Sequence, residues 1–148
     1  MIAVDTNVLV YAHRSGLQQH GSALVWLRHL AEGNVPWAVP VFCLGEFVRV
    51  VTHPRILDPP STLDQALTAL RGILSSPTAR VLSPGPRYPT LYEEAVREAD
   101  ARGNLAFDAQ IAAVCQERGA TRLLTLDRDF ARFQGIRVIS LDQSPADV

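Results

Sequence analysis

"MIAVDTNVLVYAHR", residues 1–14, decides how the rest of the chain is read. Ile2 to Val4 is a short apolar run of strand type, and it ends on a carboxylate, Asp5, followed at once by Thr6 and Asn7. Val8, Leu9 and Val10 resume the apolar pattern, so Asp5 stands at a junction inside what should be core. Two readings compete. Asp followed by Thr-Asn is sound helix N-cap chemistry, because the side-chain oxygen takes up a free N–H of the first turn. A carboxylate at the C-terminal end of a central strand is also where open α/β sheets keep their sites.

Further β-type runs lie at Ala38–Val41, Arg122–Thr125 and Arg137–Ser140, with a weaker one at Arg80–Leu82 before the turn-rich "SPGPRYP". Helical patterns separate them. Ser22–Glu32 carries Leu24, Trp26, Leu27 and Leu30 on one face, with Gly33 as its stop. Cys43–Val51 is apolar apart from Glu46 and Arg49, and "HPRILDPP" (53–60) reads as a loop. Thr62 with Gln65 forms a capping box for a helix reaching Ser75. Thr90 with Glu93 is expected to open another, running to Arg102, and Leu105–Arg118 a further one stopped by Gly119. Strands separated by helices of this length predict the α/β class: a parallel sheet flanked by helices on both faces, an α/β/α sandwich. No repeat, low-complexity tract or long linker interrupts the pattern, so residues 1–148 are expected to form one domain.

Composition excludes several classes. No apolar run reaches the ~18 residues of a membrane span. No basic region precedes an apolar one at the N-terminus, so no signal peptide is expected and the cytoplasm is the expected compartment. Cys43 and Cys115 lie in apolar contexts without CxxC spacing and are expected as buried, reduced thiols. All 14 basic residues are arginine, and the absence of lysine rules out a P-loop. Net charge is −1, which alone argues against a nucleic-acid binder. If Asp5, Glu46, Asp108, Asp127 and Asp129 cluster, however, the other 10 acids face 14 arginines. A scaffold of +4 around an acidic pocket suits a polyanion drawn to a metal-filled cavity.

Those acids occur where carboxylates are costly. Glu46 sits within the apolar helix after the second strand, Asp108 in "GNLAFDAQIAAV" (103–114), and Asp127 just beyond the strand "RLLT" (122–125). Asp129 follows two residues later. An isolated buried charge must be paired or metal-bound, and no arginine occupies an equivalent place beside Asp5, Glu46 or Asp108. Parallel strands put their C-terminal ends on one edge, where the carboxylates can converge. Hard oxygen ligands without His or Cys suit Mg²⁺ or Mn²⁺ and not zinc. Thr6, Asn7 and Thr125 add hydroxyls and an amide able to orient carboxylates and water. The reaction class that follows is metal-dependent phosphodiester hydrolysis.

Four motifs in chain order, "VDTNVLVYAH" (4–13), "GEFVRVVTHPRI" (45–56), "RGNLAFDAQIAAV" (102–114) and "TLDRDF" (125–130), resemble those of PIN-domain ribonucleases of the VapC toxin type, from bacterial toxin–antitoxin pairs. The resemblance runs from Met1 to about Leu141. It implies an Mg²⁺-dependent endoribonuclease, with Mn²⁺ as a substitute, acting on structured or translation-linked RNA. It also implies a toxin homodimer held inactive by a cognate VapB-type antitoxin. Carried over by position, Asp5 and Asp108 would be the principal metal ligands, with Glu46 and Asp127 completing the acidic site. Asp129 is a second candidate for the last position, and Phe107 and Gln110 stand where relatives often carry His.

Rival readings remain at this level. A DNA nuclease of related fold would carry the same acids, whereas a catalytically silent nucleic-acid- or protein-binding module would tolerate their loss. A phosphatase using Asp5 as phosphoryl acceptor fits poorly, since Asn7 stands where a second Asp is generally wanted and lysine is absent. His13, His20, His29 and His53 show no metal-ligand spacing. Arg14, Arg49, Arg55 and Arg128 flank the motifs and are candidates for holding phosphates. Trp26 and Trp37 read as core or interface, and the apolar stretches "ALVWLRHL" (23–30) and "FVRVV" (47–51) exceed what covering the sheet requires, which motivates a dimer and an antitoxin groove.

Overall fold

The computed structural model describes residues 1–148. In chain order the elements are β1 (Ile2–Val4), α1 (Thr6–His13), α2 (His20–Glu32), β2 (Trp37–Pro40), α3 (Val41–Val51), α4 (Leu63–Leu74), β3 (Ala79–Leu82), α5 (Tyr88–Glu98), α6 (Leu105–Glu117), β4 (Arg122–Leu124) and β5 (Arg137–Ile139). Short 3₁₀ turns lie at Arg128–Arg132 and Pro145–Asp147. The five strands are all parallel, in the order β3-β2-β1-β4-β5, which is the expected α/β architecture.

Strands covered on both faces need no alternation of apolar and polar residues, and the central ones have none. Ile2, Ala3 and Val4 are all buried, as is every residue from Trp37 to Pro40. The edge strand β3 exposes Arg80 and Val81 instead. β1 is central: Ile2 faces Trp37 on one side and Arg122 on the other, and Ala3 likewise faces Ala38 and Leu123. From β1 the chain winds outward through β2 to β3, then crosses back to β4 on the opposite side. Right-handed crossovers place the helices of the outward and return paths on opposite faces. α1 packs on α2 and α3, α3 on α4, and α5 on α6. The core includes Trp26, Trp37, Phe47, Phe130 and Phe133, each almost wholly buried. Cys43 and Cys115 are buried free thiols. No helix is long and apolar enough to cross a membrane.

Several boundaries differ from the sequence reading, each for a physical reason. β2 ends at Pro40, which itself caps α3, so Val41 and Phe42 are helical and not strand or turn. α5 starts at Tyr88 and ends at Glu98 in place of Thr90 and Arg102. Its entry is held from outside, since the Glu117 carboxylate accepts the N–H groups of Gly85 and Arg87 at 2.7 and 2.8 Å, and Glu93 pairs with Arg97 in place of capping Thr90. Asp100 has a positive φ of 46°, which ends the helical course before Arg102. Gly33 does stop α2, but with an extended backbone, φ −76°; the requirement there is space, because a Cβ would lie 3.0 Å from the His29 carbonyl.

The Thr62–Gln65 capping box forms as read: the Thr62 hydroxyl accepts from the Gln65 N–H at 3.1 Å, and the Gln65 side chain accepts from the Thr62 N–H at 2.9 Å. Thr62→Ala removes one half of that exchange and should cost about 1 kcal/mol. Chemical denaturation should show the midpoint falling with an unchanged slope.

Candidate active site

The two readings of Asp5 are both satisfied by one geometry. Asp5 continues the β1 ladder, donating its N–H to the Leu124 carbonyl at 3.0 Å, and then caps α1 through the Thr6 N–H, which reaches Asp5 Oδ1 at 2.7 Å. The other oxygen, Oδ2, accepts from Thr125 Oγ1 at 2.7 Å and from the Asn7 amide at 2.9 Å. Only 5% of Asp5 is exposed. The partners hold one another as well: Asn7 Nδ2 also donates to Thr125 Oγ1 at 3.1 Å, and the Asp127 N–H donates to that hydroxyl at 3.0 Å. A single hydroxyl at the end of β4 therefore joins the ends of two strands and the start of the 127–129 loop.

This junction is the switch point of the sheet, where strand order reverses between β1 and β4, and a crevice must open beyond the carboxyl ends. The crevice is a cavity of about 330 Å³, and Asp5, Thr6, Asn7, Glu46, Asp108 and Asp127 all line it. Glu46 comes from α3 and Asp108 from the first turn of α6, two helices that touch each other. The four acids, 5, 46, 108 and 127, thus arrive from four different elements. Asp129 does not join them. It is exposed, and its N–H donates to Asp127 Oδ1 at 2.8 Å, so its contribution is to fix Asp127 as the cap of the following 3₁₀ turn.

The cluster has no cation of its own. The three ion pairs of the molecule, Arg28–Glu32, Arg97–Glu93 and Arg102–Asp100, are exposed and lie elsewhere. Burial consequently raises the Asp5 carboxyl to about 6, with repulsion from Glu46 and Asp127 adding, while the hydrogen bonds from Thr125 and Thr6 oppose the rise. Burial likewise raises Asp108 to about 7, reinforced by the negative charges of Asp127, Asp5, Glu46 and Asp129. All the donors that line the cavity are oxygens or amides, with no His or Cys among them. That set suits a hard divalent cation. As the side chains stand, no three acidic groups close around a common point.

The tryptophans and two of the histidines take structural positions. Trp26 and Trp37 are buried, and His13 and His20 bond to Ser61 and to the Tyr11 carbonyl. Of the flanking arginines, Arg14 lines an adjacent groove, and none of the four is in an ion pair. The sequence reading missed the far wall of the crevice, where Ile56 and Leu57 of the 53–60 loop face Tyr11 and Val50. Its signal was two adjacent apolar residues in an otherwise polar, proline-rich loop.

A model of the PIN domain matches residues 2–136. The chain belongs to the PIN-domain family. Among its relatives is a VapC ribonuclease of Mycobacterium bovis, 39% identical over 93% of this chain and 92% of that one. The ribonuclease VapC25 of Mycobacterium tuberculosis is 35% identical, covering 94% and 97%. Among solved structures, the VapBC2 complex of Rickettsia felis bound to a promoter DNA fragment contains a similar chain, with a TM-score of 0.70, 23% identity and coverage of 95% and 98%. The sarcin–ricin-loop-cleaving toxin VapC20 of Mycobacterium tuberculosis has a TM-score of 0.64 at 22% identity, with coverage of 93% of this chain and 99% of that one. The PIN fold thus accounts for the parallel sheet and for the place of the crevice within it.

The raised carboxyls make a prediction for the metal-free PIN-domain protein. An unperturbed aspartate titrates at 3.8, so between there and about 7 the folded state binds more protons than the unfolded one. Stability then falls as pH rises through that window. In EDTA, the melting temperature should be higher at pH 5 than at pH 8. Asp108→Asn should melt above wild type at pH 8 and show a flatter profile; a wild-type melting temperature that holds or increases toward pH 8 would contradict the clustering.

Proposed function

We propose that this chain, as one PIN domain spanning residues 1–148, is the endoribonuclease toxin of a toxin–antitoxin pair, hydrolysing RNA phosphodiester bonds with Mg²⁺, or Mn²⁺ in its place. The single observation that carries the chemistry is the unpaired acidic crevice at the sheet's switch point, lined by Asp5, Glu46, Asp108 and Asp127. The RNA substrate is supported by the relatives named VapC ribonucleases at 31–39% identity over most of the chain. An antitoxin partner is supported by the similar fold of chains in VapBC and FitAB complexes. A homodimer and a cytoplasmic location complete the reading.

Asp5 and Asp108 would hold the ion, with Glu46 and Asp127 closing the set. Bound there, a divalent cation supplies Lewis-acid charge to the phosphate and makes water more acidic. The chain's own task is to keep the oxygens in place before substrate arrives. Thr6 N–H, Thr125 Oγ1 and Asn7 Nδ2 fix both oxygens of Asp5, and Asp129 N–H and Thr125 Oγ1 fix Asp127 from two sides. Such partners set the orientation of carboxylates and commonly govern metal affinity. The clustered negative charge repels a bare phosphate, so RNA enters productively only once the cluster is neutralised. Hydrolysis then breaks one P–O ester bond, water's oxygen going to phosphorus and its proton to the departing ribose oxygen.

The test is cleavage of RNA by purified protein. Asp5→Asn and Asp108→Asn should abolish cleavage with the fold retained, and EDTA should mimic them reversibly. Full cleavage by folded Asp5→Asn would sink the assignment. Asp127→Asn should cost more activity than Asp129→Asn, because only Asp127 lines the crevice.

Metal should also act on stability. The unfolded chain has no preformed site, so Mg²⁺ at ~100 times its dissociation constant should add about 2.7 kcal/mol. For a chain of this size that is a melting shift on the order of 5–10 °C. Sodium at matched ionic strength should not reproduce it, and Asp5→Asn should respond little. Equal gains by wild type and Asp5→Asn would place the ion elsewhere.

A further inference from the structure

Beside the acidic crevice lies a larger groove, of about 890 Å³, and the two share Leu17, Ile56 and Leu57 as a common wall. Its polar lining comes from three segments distant in sequence: His13 and Arg14 at the end of α1, Asp58 and Ser61 in the loop before α4, and Asp64 and Thr68 on α4. The His13 ring and Ser61 Oγ lie 2.8 Å apart and join the α1 end to that loop. Burial, with Arg14 adding, holds His13 below its usual value, so its ring is neutral at neutral pH. The lining therefore carries one positive charge, Arg14, against two negative ones, Asp58 and Asp64.

That balance is wrong for a phosphate track, which needs a surplus of cations. It is right for a flat, neutral group whose edges offer both donors and acceptors, resting on the apolar wall of Leu17, Ile56 and Leu57. Guanine has this pattern: N1–H and the N2 amine form a donor pair that a carboxylate accepts, while O6 and N7 form an acceptor pair that an arginine reads. Adenine and cytosine each offer only an exocyclic amine on that edge and uracil only its ring N3–H, so neither the pair of adjacent donors nor its match to a carboxylate is available to them. Sequence-specific recognition of RNA works on unpaired bases that are splayed out and read on these edges.

We propose that this groove is a base-recognition subsite that takes an unpaired guanine near the scissile phosphate, with Asp58 and Asp64 as acceptors for its N1–H and N2 amine and Arg14 facing its O6 and N7. It rests on the nuclease reading of the neighbouring crevice and adds what that reading lacks, a source of sequence preference. Because the groove and the crevice lie on either side of the same three residues, Leu17, Ile56 and Leu57, one RNA strand crossing that wall reaches both.

The experiment is inosine scanning. In an oligoribonucleotide that the wild type cleaves with Mg²⁺, each guanosine is replaced in turn by inosine, which lacks only the N2 amine. One position within a few nucleotides of the cut should lower kcat/KM about tenfold, the discrimination expected of one lost edge contact. In Asp58→Asn, and in Thr68→Trp, which fills the groove, the guanosine-to-inosine ratio at that position should fall toward one. Both residues are exposed, so the variants should fold, which a melting curve checks. Cleavage with no sensitive guanosine, or variants retaining the wild-type ratio, would overturn the subsite. Variants that keep the ratio but lose capture of the neighbouring-gene antitoxin would overturn it too, by assigning the groove to a protein partner. If the wild type cleaves no RNA, the nuclease reading fails and the subsite with it, an outcome distinct from cleavage without base preference.

Discussion

Thr125 Oγ1 lies 2.7 Å from Asp5 Oδ2, and the remainder of the site is arranged around that hydrogen bond. It exists because β1 and β4 are neighbours in register, Val4 facing Leu124, so the residues next after each strand are brought side by side. The Asp5 N–H, donating to the Leu124 carbonyl, extends the ladder by one step beyond the strand. From the same hydroxyl the hydrogen bonds run to Asn7 and to the Asp127 backbone. A buried carboxylate with so few degrees of freedom is pre-positioned, at the cost of desolvation that its hydrogen bonds only partly offset.

The rest of the fold tolerates that cost by concentrating it at one edge. Everything below the crevice is apolar and tightly covered: Ala3, Val4, Ala38, Val39, Leu123 and Leu124 are fully buried along the three central strands. Hydrophobic burial at about 25 cal/mol per Å² supplies the main favourable contribution to folding, and the strands contribute it without any polar group to satisfy beyond their own ladders. Glu46 stands midway along α3, and Asp5, Asp108 and Asp127 sit at strand ends and helix starts. There the backbone supplies donors: Thr6 N–H for Asp5 and Asp129 N–H for Asp127. Helix starts also favour negative charge, which applies to Asp5 at α1 and to Asp108 in the first turn of α6. The same features that make these positions chemically useful make them the least costly places to hold a charge.

The outer surface differs from the core in the same physical terms. Phe107, directly before Asp108, is 63% exposed, and Leu63 and Leu67 of α4 are also open to solvent. Val25 on α2 is exposed as well, so part of the apolar excess read in "ALVWLRHL" does face outward, whereas in "FVRVV" Phe47 and Val51 are consumed by the core. Such exposed apolar side chains are scattered over several helices and leave part of the molecule's apolar surface uncovered within the single chain.

Much of this was legible in the sequence because it is encoded locally. The short apolar runs, the Thr62–Gln65 cap, the stop at Gly119 and the isolation of Asp5, Glu46, Asp108 and Asp127 within hydrophobic stretches each depend on residues a few places apart. The boundaries of α5 were not legible, because Glu117, some thirty residues away, holds its entry. The role of Asp129 as a backbone clamp on Asp127, the far wall built by Ile56 and Leu57, and the groove between α1 and α4 were not legible either. Residue types and periodicity determine which segments form strands and helices and where a charge is out of place. Which charges meet is decided by the strand order β3-β2-β1-β4-β5, because it sets β4 parallel and in register beside β1 and so brings residues 5 and 125 within a hydrogen bond of each other.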